Sequence, residues 1–214
     1  MQELNPIQLL IVLAPPLLLA ITLHEVAHGW VALRCGDPTA KAQGRLSLNP
    51  LRHIDPIGTV VVPALLAIFG GFIFGWAKPV PVNYHRLRQP KRDMAFVALA
   101  GPGANFIMAL GWGLTMAIGY HLQADWSWLG QPLLWMGGAG VNVMLGVLNL
   151  APIPPLDGSR VLAGVLPDRY GEAMAQMEPY GLIILVALMA LGLFNVLMPL
   201  VNSIRHFIMT LFFF

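Results

Sequence analysis

From Ile7 to Leu23 the chain carries no charged residue, and this run leads directly into His24-Glu25-Val26-Ala27-His28. A membrane helix needs about 20 predominantly apolar residues, because backbone polar groups in lipid are satisfied only within a helix or a closed barrel. Hydrophobic residues make up 57% of the 214 and charged ones 10%, against about 25% charged in soluble domains. The chain therefore reads as an integral membrane protein with no sizeable soluble domain. The segment Met1 to Asn5 lacks a basic residue and no small-residue cleavage site follows the apolar run, so the first helix is expected to be retained rather than removed as a signal peptide. A single cysteine, Cys35, excludes an intrachain disulfide.

Charge distribution orients the spans. Nine of the twelve Lys and Arg residues lie between Arg34 and Arg92, and Arg160 and Arg169 follow Asp157, whereas 121–132 has no basic residue and carries Trp126 and Trp128. The positive-inside rule places 34–57, 77–92 and 157–178 in the cytoplasm and 121–132 outside. The apolar run Thr59 to Ala77 then lies between two inside segments and is broken by Pro63, Gly70, Gly71 and Gly75, which predicts a re-entrant or hairpin element rather than a crossing. The expected fold class is an all-α polytopic membrane protein. About four main helices are expected: Pro6 to about Cys35, 93–120, 132–151, and one from Pro179 through Leu193. With the re-entrant or β-hairpin element between the first and second, they form a single membrane-embedded domain over 1–214. After Leu193 the pattern is interrupted at Asn195, Pro199, Asn202, Arg205 and His206, so the tail either continues the helix or lies along the interface.

In HExxH two imidazoles four residues apart share a helix face and can hold one zinc ion, with the glutamate in reach of a water on it. A charged residue at mid-membrane is unfavourable by roughly 2.5–3.5 kcal/mol, so Glu25 and its histidines need a partner or a cavity. A third protein ligand is required, with one position left open. Besides Glu25, the acid at the edge of an apolar segment is Asp157, after Pro152, Pro154 and Pro155 and before Gly158. Two readings of Asp157 stand side by side: the cap of a short helix through Val161, or a ligand at the depth of His28.

These residues resemble the site-2 protease family of intramembrane zinc metalloproteases, which pairs HExxH on one membrane helix with an LDG motif on another, here Leu156-Asp157-Gly158. Gly101-Pro102-Gly103-Ala104-Asn105 is similar to the family's Gly-Pro-x-x-Asn pattern, and Gly44 to Pro50 and Trp76 to Asn83 resemble its compact prokaryotic branch without PDZ or CBS domains. The resemblance implies one zinc per chain held by His24, His28 and Asp157, Glu25 as general base, Asn105 holding substrate, and re-entrant β structure between the first two helices. Ser159 departs from the frequent LDGG, with little effect expected.

The expected activity is hydrolysis of peptide bonds within or near transmembrane segments, with Glu25 activating a zinc-bound water. Asn149 is a further candidate for holding the substrate backbone, its alternative being an interhelical hydrogen bond. Leu46 to Leu48 and Val80 to Val82 are candidates for pairing with an unwound substrate. The expected partners are a transmembrane substrate, the lipid bilayer and a regulatory membrane protein, with no nucleic acid. The expected location is the plasma membrane, with the site towards the cytoplasm. The alternatives are a catalytically silent membrane scaffold and a metal-ion transporter.

Overall fold

The computed structural model describes residues 5–62, 65, 75–123 and 133–213. Helix α1, Pro6–Arg34, opens where Asn5 caps Gln8 and the Gln8 side chain answers the Asn5 amide, with proline at the first position, where its missing N–H costs nothing. Helix α2 is Pro90–His121. A π-helical turn, Leu133–Gly140, runs into α3, Val141–Asn149. On the far side of a proline-rich turn stand α4, Asp157–Val165, and α5, Asp168–Met177. The chain ends with α6, Gly181–Ala190, and α7, Leu193–Phe213.

Four stretches, Ile11–Arg34, Pro90–His121, Asp168–Ala190 and Leu193–Phe213, are long and apolar enough to cross a membrane, and Leu133–Asn149 is a shorter apolar helix. The protein is a multi-pass membrane protein. Its tail, left open by the sequence, is a helix of its own. Gly192, at φ +94°, breaks the chain between α6 and α7 in the left-handed conformation that glycine adopts without penalty. Helices α2, α3 and α7 meet around Ala109, Val143, Val147, Val201 and Ile208, while Leu148, Ala151, Leu156 and Leu185 join α3 to α6. Outward-facing Ile107, Ile183 and Val196 stay exposed, as suits side chains that meet lipid.

No strand occurs among the described residues between α1 and α2, where the resemblance implied β structure, and Leu46 to Leu48 and Val80 to Val82, the candidates for pairing with substrate, are without regular structure. Most of the run Thr59 to Ala77 lies outside the described residues. Its flanks meet: the Trp76 amide donates to Gly58 O at 3.0 Å and the Thr59 hydroxyl to Trp76 O at 2.7 Å. Trp126 and Trp128 lie outside the described residues as well.

The extended segment after Trp76 is tied to the end of α1 by Asp37, which is fully buried. Its carboxylate accepts from the Thr39 amide at 3.0 Å, the Thr39 hydroxyl, and the Asn83 amide at 2.6 Å. Burial opposes ionisation of Asp37, but these three donors and the nearby Arg86 outweigh it and hold the carboxyl below its usual range. Removing so many satisfied bonds leaves buried donors alone, so Asp37→Ala should destabilise the protein by about 1–3 kcal/mol at neutral pH. The unfolded carboxyl titrates near about 3.9. The stabilisation is therefore complete above that value and disappears as pH falls through the lower folded one. Thermal unfolding should show the gap between wild type and Asp37→Ala closing in acid.

Candidate metal centre

The i, i+4 spacing on α1 turns His24 and His28 towards α2, and both rings are buried. Each ring is held from behind. His28 Nδ1 lies 2.6 Å from Val97 O, and His24 Nδ1 lies 2.6 Å from Asn105 Oδ1. Asp157 arrives from elsewhere in the chain. The prolines at 152, 154 and 155 end the helical ladder after α3, two tight bonds (Ile153 amide to Ala151 O, Leu156 amide to Ile153 O) close the turn, and α4 begins at Asp157. Asp157 is thus the first residue of a helix and not its cap; the cap is Leu156, whose carbonyl also takes the Ser159 hydroxyl at 2.7 Å. Gly158 lets this first turn lie against the end of α3, since a Cβ there would stand 2.2 Å from Leu150 O.

Three atoms converge. His24 Nε2 and His28 Nε2 are 3.0 Å apart, and Asp157 Oδ2 lies 3.1 Å from the first and 3.3 Å from the second. The His28 partner is a backbone carbonyl, which only accepts, so Nδ1 carries the proton of the neutral ring and Nε2 keeps a lone pair. His24 is arranged alike, with an amide oxygen in front of Nδ1. Asp157 Oδ2 finds no hydrogen donor. Three acceptors packed edge to edge repel one another unless a cation lies between them. Ligand atoms about 2.0–2.1 Å from a tetrahedral zinc stand about 3.3 Å apart, close to the separations here. The volume is kept free on the α2 side by Gly101, where a Cβ would fall 2.4 Å from His28 Nε2 and 2.6 Å from His24 Nε2. The donor set, its spacing and this space all fit zinc.

Glu25 borders a cavity of about 430 Å³ that also touches His24, His28, Asp157, Asn149 and Arg160. Its Oε2 accepts the Val80 amide at 2.7 Å, so the extended segment tethered by Asp37 also holds the glutamate. Asn149 lies on the cavity wall, its Nδ2 donating to Leu145 O at 2.9 Å. Asn105, expected to hold substrate, is placed elsewhere. It is fully buried behind His24, and its amide is taken up by His24, Ala20 O and Asn142. Both Nδ2 hydrogens and one lone pair of Oδ1 are engaged by these partners. His53 is buried, with Nε2 2.9 Å from Ser47 O. Sequence reasoning passed over Gly101 as a contributor to the centre, and over Asn142, whose only sequence signal is its place seven residues before Asn149 on the same side of a helix.

Gly101→Ala should sharply lower bound zinc while leaving the helical content of the purified protein unchanged, as metal analysis and circular dichroism would show. An undiminished zinc content would mean that α2 yields more readily than this packing implies.

Comparison with known proteins agrees with this chemistry. Residues 113–193 match the profile of Peptidase family M50. YwhC of Bacillus subtilis (strain 168), which carries a zinc metalloprotease name, is 38% identical over 212 residues, covering 97% of this chain and 93% of that one. Rip2 of Mycolicibacterium smegmatis, named in the same way, is 35% identical over 174 residues, 80% of this chain and 64% of its own. The regulator of sigma-E protease RseP of Escherichia coli (strain K12) is 36% identical over 96 residues, 42% of this chain and 21% of its own. No solved structure matches. A relative this similar over nearly its whole length, carrying a zinc metalloprotease name and joined by an M50 match on the side of the chain that supplies Asp157, shows that this chain belongs to Peptidase family M50, the site-2 protease family of membrane metallopeptidases.

Proposed function

We propose that the protein hydrolyses peptide bonds within or near the transmembrane segments of other membrane proteins, using one zinc held by His24, His28 and Asp157. The observation that carries this reading is the convergence of three acceptor atoms within 3.0–3.3 Å of one another at the wall of a cavity. When bound, zinc supplies the Lewis acidity that makes water a nucleophile near neutral pH and polarises a carbonyl. Glu25, next to His24 and open to the cavity, takes a proton from the attacking water as the new C–O bond forms. It returns that proton to the amine nitrogen as the C–N bond breaks. The Val80 amide, bonded to Oε2, orients the carboxylate for this exchange. Asn149 lies on the cavity wall with its Nδ2 bonded to Leu145 O, and we assign its side-chain oxygen to accept a hydrogen bond from the substrate backbone.

A cavity of about 430 Å³ is comparable to one helical turn with its side chains, about 500 Å³ for a cylinder 10–12 Å wide and 5.4 Å tall. In an intact helix the scissile carbonyl is held in the i, i+4 hydrogen-bond ladder, so the substrate enters as a short unwound stretch, which frees that carbonyl for attack. Selection then rests on how easily a target helix unwinds, or on a membrane partner that helps it. The meeting of Gly58 and Thr59 with Trp76 supports a re-entrant course for the run between them. With the basic residues on the cytoplasmic side of the plasma membrane, the site faces the cytoplasm, and 1–214 acts as one membrane-embedded domain.

Glu25→Gln tests the chemistry cleanly, because the amide oxygen still accepts the Val80 N–H and the zinc ligands are untouched. Zinc content should stay at one per chain while cleavage falls by at least the roughly 10²–10⁴-fold that general base catalysis contributes. Retained cleavage in this variant would rule out the assigned role of Glu25. Topology is read separately: a cysteine placed at Gln123 should react with an impermeant reagent from outside, and one at Arg88 only after the membrane is opened.

A further inference from the structure

We propose that Asn142 of α3 is a positioning residue of the metal centre, acting through Asn105 to keep the proton of His24 on Nδ1 and its lone pair on Nε2. This rests on the reading that His24 is a zinc ligand.

The inference follows from the direction of a chain of hydrogen bonds. Asn142 and Asn105 are both fully buried, on helices where an unpaired amide would meet only apolar surroundings. Asn142 Nδ2 lies 2.8 Å from Gly138 O, a carbonyl that can only accept. The NH₂ of Asn142 therefore faces Gly138, and its oxygen faces Asn105. Asn105 presents Nδ2 to that oxygen at 3.1 Å, with a longer bond of 3.4 Å to Ala20 O. Its own oxygen is thereby turned to His24 Nδ1 at 2.6 Å. An acceptor at Nδ1 places the ring proton there, and Nε2 is left free to bind the ion. Each link has one sense, set at its far end by Gly138.

The alternative arrangement shows why the sense matters. An amide is nearly symmetric in shape, so a flipped Asn105 would fit the same space while presenting N–H to His24 Nδ1. The ring proton would then move to Nε2, in the middle of the three converging atoms, and His24 could no longer bind. Of the two acceptors that oppose this flip, Asn142 makes the shorter bond. His28 needs no such device, because Val97 O is a backbone carbonyl and cannot turn round.

The test compares Asn142→Val with Asn142→Thr in the full chain, purified in detergent, by zinc affinity measured in competition with a chelator. The two variants have the same shape. A threonine hydroxyl donates to the carbonyl four residues back and still accepts from Asn105, whereas valine does neither. Asn142→Val should bind zinc about 10–100-fold more weakly than wild type, the usual effect of losing a partner behind a ligand, and Asn142→Thr should bind close to wild type. In an Asn105→Asp background both oxygens of residue 105 accept, no wrong face exists, and the loss caused by valine at 142 should shrink. Equal losses for valine and threonine, or a valine loss unchanged by Asn105→Asp, would assign Asn142 to packing and overturn the inference. Wild-type affinity in Asn142→Val would overturn it too. Absence of zinc binding in the wild-type chain would instead overturn the ligand reading on which it rests.

Discussion

Two imidazole nitrogens and a carboxylate oxygen converge on one point, and the rest of the molecule is arranged to hold them there. Their separations of 3.0–3.3 Å are too short for three uncompensated acceptors in a medium with little water to screen them. What keeps them there is support from behind: Val97 O behind His28, Asn105 behind His24, and the first turn of α4 wedged against α3 behind Asp157. A cation between the three atoms would offset their mutual repulsion, so the same contacts that bring them together also suit them to hold one. Close approach of α2 at Gly101 and of α4 at Gly158 are two aspects of the same requirement, since either with a side chain would push one wall of the centre away.

Much of this was legible in the sequence. Helical periodicity alone put His24 and His28 on one face, and the positive charge pattern marked which loops flank the spans. Asp157 could be singled out because acids are rare beside the apolar runs, yet its part in the centre depended on α3 and α1 packing at matching depth, which no local pattern encodes. Asn105 shows the limit most clearly. A motif match locates a residue but not its partner, and an asparagine in a membrane helix is equally suited to a peptide or to a neighbouring helix. Its burial behind His24 is a property of how α1, α2 and α3 meet. Asn142 lies further still from local reading, because its role is the sense of a hydrogen bond and not the presence of one. The separate helix after Gly192 was obscured for another reason: Asn195 and Pro199 drew attention as interruptions, while the break itself needed only a backbone turn at a glycine.

The glutamate is supported from a different quarter than the ligands. Its partner is the amide of Val80, in a segment without regular structure whose position is fixed by Asp37 at the end of α1 and by the Lys78 amide on His53 O. The proposed proton carrier and the proposed metal ligands thus rest on separate parts of the molecule, the former on the connection between α1 and α2, the latter on the helix bundle. A change in that connection can alter proton transfer without touching the ion.

The placement of Asp157 also governs when the centre comes into being. The histidines are on α1, but the carboxylate follows α2 and α3 in the chain, and it reaches its place only once both have packed on α1. A nascent chain still emerging from the ribosome therefore holds half a centre, with two histidines and no third ligand. Contacts between distant parts of a chain form late because the intervening loop must close first. A centre shared between α1 and α4 is thus complete only after the helices between them have been made and packed.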